Sequence, residues 1–240
     1  NIYTLLKRRK EMYYYDFSYI IYMVISLSVS LYAHFKVKNA FNKYSRIICS
    51  KKLTGVESAQ AVLRYNNVSG VSIGKINGYF SDHFDSRTNQ ISLSENVHSH
   101  CTVASLSVAA HEAGHAVQNA VGYAPLKIRH SLVPVVQIGS NLAMPLVFIG
   151  LILPVQYNFV VNAGIILYSL AVLFQLVTLP VEFNASHRAF LALKGARLVT
   201  PEEEKGVKDV LIAAAFTYVA ATFTSLLSLL RLIFISRRRD

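Results

Sequence analysis

"AAHEAGHAV", Ala109–Val117, places two histidines four residues apart with a glutamate directly after the first. On a helix, residues four apart share a face. His111 and His115 therefore aim their imidazoles at one point from adjacent turns, and Glu112 stands one step round. Two neutral imidazoles held this way grip Zn²⁺ in zinc hydrolases, with the neighbouring carboxylate handling a water proton. The competing reading is a surface helix that happens to carry two histidines. The apolar flanks "SLSVAA" and "AVQNAV" argue for burial instead, and a buried imidazole pair without a metal or partner is costly. Ala113 and Gly114 are small enough for another element to pack close without blocking the metal.

Each residue type has a task. Bound Zn²⁺ lowers the pKa of its water to about 7 and polarises a carbonyl. A carboxylate such as Glu112 takes the water proton and passes it to the leaving amine. A catalytic zinc also needs a third protein ligand. "QLVTLPVEFNASHRA" is the best stretch for it, and Glu182 is the only acidic residue between Glu112 and Glu202. Glu182 could instead be an interfacial carboxylate paired with Arg188, and His83, His98, His100 and His187 compete as ligands.

Around this motif the chain is apolar: 53% hydrophobic and 15% charged over 240 residues. That composition points to a membrane protein with a modest polar part. Four runs reach the roughly 20 apolar residues that span a bilayer: residues 17–35, 132–153, 159–181 and 210–235, the last with Arg231 near its end, where it can snorkel. "KRRK" before the first run allows a signal peptide, but the run is long and lacks a clear cleavage site, so a retained anchor is expected. Residues 1–16 read as an N-terminal extension, 182–209 as a connecting segment and 236–240 as a basic tail.

Residues 36–131 form the expected metallopeptidase domain. A helix starts near Thr54, and the stretch "VSGVSIGKINGYFSDHFDSRTNQISLSE" reads as two or three short strands including a hairpin. The helix with both histidines ends near Gly122, with Pro125 beyond. The expected fold is mainly α: a polytopic membrane protein with about four transmembrane helices and a small α+β zincin-like domain.

The net charge of +11 sits beside the apolar runs, as for segments facing anionic lipid, and no nucleic-acid-binding signature is present. Lys and Arg are in excess on the polar-domain side of the spans. The expected location is therefore the cell membrane, multi-pass, with the domain on the cytoplasmic side, although Arg237–Arg239 argue the other way. Cys49 and Cys101 lack metal-site spacing, and Cys101 reads as a small buried thiol.

The blocks "HFDSRTNQISLS", "VAAHEAGHAVQNAVGYAPLKIR", "LAVLFQLVTLPVEFNAS" and "AAAFTYVAA" resemble the YugP-like family of membrane zinc metallopeptidases, in order, over nearly the whole chain. The resemblance implies four membrane helices around a zinc peptidase core. It also implies His111 and His115 as ligands, Glu112 as catalytic base and Glu182 as third ligand, similar to the gluzincin group. His187 departs from the arginine that the family pattern would place in "NASRRA".

Other stretches carry lesser expectations. Asp82 reads as a solvated turn residue, His83 as a candidate oxyanion donor, and "ISLS" as an edge along which an extended substrate could hydrogen-bond. Gln118, one turn beyond His115, reads first as a polar residue between helices and second as a hydrogen-bond partner of the site. Gln137, Asn141, Asn162 and Gln175 read as packing glue between spans, with Gln175 in the metal's outer shell. Glu202–Glu204 serve a helix dipole, and Tyr13–Tyr15 with Tyr19 form an interfacial belt. The functional expectation is a membrane zinc endopeptidase acting on a peptide or membrane-protein substrate. A non-proteolytic metal-binding scaffold is the alternative. A site-2-type intramembrane protease fits less well, because the motif precedes its span and no aspartate lies inside any span. The sequence leaves the oligomeric state open.

Overall fold

A computed structural model describes residues 2–238, with side chains at residue 17 and from residue 19 onward. The chain is mainly helical. Four helices are long and apolar enough to cross a membrane: α1 (Ile2–Tyr44), α5 (Ala124–Ile152), α6 (Asn158–Gly195) and α7 (Pro201–Arg237). They pack as a row, α5 on α6, α6 on α7 and α7 on α1. Each continues beyond its apolar run. α1 carries on to Tyr44, whose hydroxyl donates to Asp209 of α7, and α6 runs straight through Pro180. Arg231 does more than snorkel, because its guanidinium lies over the rings of Tyr19 and Tyr22 at 3.9 and 5.0 Å. The side chains of Tyr13–Tyr15 and of the first 16 residues lie outside the described residues, as does the end of the basic tail.

The polar part is built on α2 (Gly55–Tyr65), β1 (Ser72–Ile76), β2 (His83–Asp85), β3 (Gln90–Ser94), α3 (Glu95–His98) and α4 (Val103–Ala120). Local chemistry sets several helix starts. Thr54 and Glu57 form a capping box on α2, and Thr200 and Glu203 form one on α7, where Pro201 fills the first turn. Glu203 does more than favour a dipole: one of its oxygens accepts from the Ser50 N–H and hydroxyl at 2.6 and 2.8 Å, tying α7 to the segment after α1. Thr102 caps α4. Past its end Gly122 takes φ +66, a turn that a side chain would resist.

The sheet order is β1-β3-β2. β2 and β3 form the expected hairpin, and β1 adds in parallel on the other side. "ISLS" is therefore corrected from edge to middle strand. Asp82 is also less solvated than expected, because its carboxylate accepts from the Ser94 N–H at 2.7 Å. Ile91 and Leu93 alternate inward and are fully buried in a core shared with α2, α4 and the ends of α6 and α7 that meet this domain.

Candidate metal centre

α4 is buried on nearly every side, and its small residues set how closely α6 can approach. At Gly114 a Cβ would stand 2.5 Å from the carbonyl oxygen of Ala185. Gly114→Val is therefore expected to force the two helices apart and cost about 1–3 kcal/mol, read as a lower thermal midpoint together with weaker metal binding.

That close crossing brings His111 and His115 of α4 to Glu182 of α6. Glu182 Oε2 lies 3.3 Å from His111 Nε2 and 3.5 Å from His115 Nε2, and the ligand atoms all fall within 4.8 Å of one another. A charge-assisted hydrogen bond would be shorter, about 2.7–2.9 Å. With zinc–ligand bonds of about 2.0–2.1 Å, the edges of a tetrahedron come to about 3.3–3.4 Å. The two edges that meet at Glu182 thus suit a tetrahedral zinc better than a hydrogen bond, and two imidazoles with one carboxylate are a donor set that zinc takes.

Outer contacts fix each of these three side chains. The Gln118 amide nitrogen donates to the Val181 carbonyl at 2.7 Å and to Asn184 Oδ1 at 3.0 Å. Its oxygen is therefore turned to accept from His115 Nδ1 at 3.0 Å, which leaves the Nε2 lone pair for a metal. His111 Nδ1 lies 3.1 Å from the Ser186 hydroxyl. Arg129 of α5 donates to Glu182 Oε1 at 2.9 Å, so Oε2 faces the histidines. Burial lowers the pKa of the His115 imidazole, but the hydrogen bond and charge of Glu182 outweigh it, and the net shift is upward.

The centre also has a definite depth. Glu182 lies about 36 Å along α6 from Asn158, slightly more than the roughly 30 Å of hydrocarbon in a bilayer. The acid therefore emerges at the end of the span that meets the polar domain. Glu112 is not part of the ligand triangle. With His111 it lines a cleft of about 370 Å³ walled by Lys38 and Phe41 of α1 and Leu211, Thr217 and Tyr218 of α7, with Phe80 and Asp82 at the loop between β1 and β2.

The other sequence candidates lie apart from this triangle. His83 is exposed and bonds to the Ser81 carbonyl, His98 pairs with Ser99, and His100 and His187 are exposed. Among the described residues, His111, His115 and Glu182 are the group with metal-ligand spacing. Arg188 bonds Asn184 rather than Glu182. It is Gln118 that bonds a histidine of the triangle. Gln118 takes the second of its two expected readings, as a partner of His115. Three neighbours of the triangle were missed, of which Ser186 carried a faint signal, being one helical turn from Glu182. Tyr218 lay within the block "AAAFTYVAA", and Arg129 carried no signal.

Fold and site together define a membrane protein with a two-histidine, one-glutamate candidate metal centre. The family model described as "Putative neutral zinc metallopeptidase" matches residues 19–237, and the chain belongs to this family. It is also 43% identical over 217 residues to the "Putative membrane protease YugP" of Bacillus subtilis (strain 168), covering 90% of this chain and 96% of that protein. No solved structure matches.

Proposed function

We propose that this chain is a gluzincin-type zinc endopeptidase held in the cell membrane by four spanning helices, with its centre on the cytoplasmic side, and that it cleaves peptide segments of membrane or membrane-surface polypeptides. The observation that carries this reading is the ligand triangle, whose 3.3 and 3.5 Å separations suit tetrahedral zinc, beside a carboxylate outside it. Bound zinc would supply a Lewis acid that acidifies a water and polarises a carbonyl. His111, His115 and Glu182 would hold it. Glu112 takes a proton from the attacking water as the water oxygen bonds to the carbonyl carbon. It returns that proton to the amine as the C–N bond breaks. Tyr218, on the cleft wall, offers an O–H donor for the carbonyl oxygen.

A metal-holding scaffold has no use for a free carboxylate at position 112, which favours hydrolysis. The test incubates the purified chain in detergent with fluorescein-labelled casein. Cleavage that stops with 1,10-phenanthroline and returns with added zinc is the expected result. Fully zinc-loaded protein that leaves casein and a panel of membrane proteins intact would establish the scaffold instead.

A further inference from the structure

α5 closes one end of the helix row, and its two faces differ. Gly139, Ala143, Val147 and Gly150 are buried, and this face packs on α6: Gly150 stands against Val161, and Val147 against Gly164. Gln137 and Asn141 lie two positions before Gly139 and Ala143, about 200° round the helix, and both are exposed. The sequence suggests that amides in spans act as glue between helices. Asn162 does so, accepting from the Ser236 hydroxyl at 2.6 Å. Gln137 and Asn141 have no such partner among the described residues. Asn141 lies about 18 Å along α5 from Arg129, near mid-bilayer by the roughly 30 Å thickness of hydrocarbon.

A second observation falls at the same point. Pro145 is inside α5 and has no N–H for the carbonyl four residues back, which is that of Asn141. The exposed amide of Asn141 and the carbonyl that Pro145 leaves without its usual N–H donor thus belong to one residue. Lipid cannot satisfy either group.

We propose that this face of α5, with Gln137 and Asn141 at its centre, is the contact surface with a second copy of the chain. The chemistry favours a like partner. A carboxamide carries both donors and an acceptor, so it is complementary to itself. Contact about a twofold axis brings the same patch to itself, giving each Asn141 amide a carbonyl acceptor across the interface. Residues 132–153 contain no charge to oppose that pairing. Phe148 continues the exposed stripe about two turns on from Asn141.

The test uses the full chain in phosphatidylcholine/phosphatidylglycerol vesicles at high dilution in lipid. Energy transfer between donor- and acceptor-labelled copies is expected for wild type. The Gln137→Leu/Asn141→Leu double variant should dissociate at least tenfold more readily, with unchanged zinc content and an unchanged or higher thermal midpoint, since leucine suits lipid. Oxidative cross-linking should capture dimers of Phe148→Cys but not of Phe234→Cys on α7. Wild type without energy transfer, transfer undiminished in the double variant, or cross-linking through position 234 alone would overturn the proposal. So would a double variant that fails to bind zinc, because the amides would then be serving the fold of one chain.

Discussion

Glu112→Gln is expected to bind zinc as wild type does and to lose turnover by about 10²- to 10⁴-fold, the range attributed to a positioned proton carrier. The substitution keeps side-chain shape at a site only 8% exposed, so the fold has no reason to change. Glu112 is outside the His111–His115–Glu182 triangle, so metal content should not change either. The loss belongs in kcat, since the amide still fills its place on the cleft wall but cannot accept the water proton. Metal analysis and casein cleavage on one preparation make the comparison. A zinc-loaded Glu112→Gln protein with near-normal cleavage would remove Glu112 from the chemistry and reassign the base.

Glu182→Gln should act in the opposite way, on the metal rather than on the proton. The carboxylate is 1% exposed and divides its oxygens between Arg129 and the two histidines. An amide presents a neutral, weaker ligand, and its N–H₂ has no acceptor on a guanidinium. Zinc affinity should fall by more than about 100-fold, beyond the 10- to 100-fold expected when only an outer-shell partner is lost, as in Arg129→Met. Competition with a chromogenic chelator orders the three proteins. If Arg129→Met binds zinc more weakly than Glu182→Gln, Arg129 rather than Glu182 dominates the site and the ligand set is wrong.

The different legibility of these residues has a physical basis. His111, Glu112 and His115 could be read because one helix holds them, and helical spacing is a local property. Glu182 was readable only as one acid among competitors, because its distance from the histidines depends on how α4 and α6 cross. Gly114 against Ala185 decides that crossing, and no periodicity encodes it. Arg129 was invisible for the same reason: its reach to Glu182 requires α5 to pack on α6. The strands could be placed by alternation and turn residues. Their order could not, since β1 pairs in parallel with β3 across intervening chain, and this made "ISLS" look like a free edge. Composition makes every amide in a span a candidate for glue between helices. That holds for Asn162 but not within the chain for Gln137 and Asn141, because composition does not say which way a helix face turns.

By itself, then, the sequence determined the four apolar spans, the helix carrying two imidazoles and a carboxylate, and the caps that start α2 and α7. Each follows from residues within a few turns of one another. Tertiary structure alone decided which acid meets the two histidines, which amides and hydroxyls hold the imidazoles in place, and which face of α5 turns away from α6. Those outcomes depend on helices meeting across 53 to 75 residues of chain, where the deciding quantity is the closest approach of two backbones.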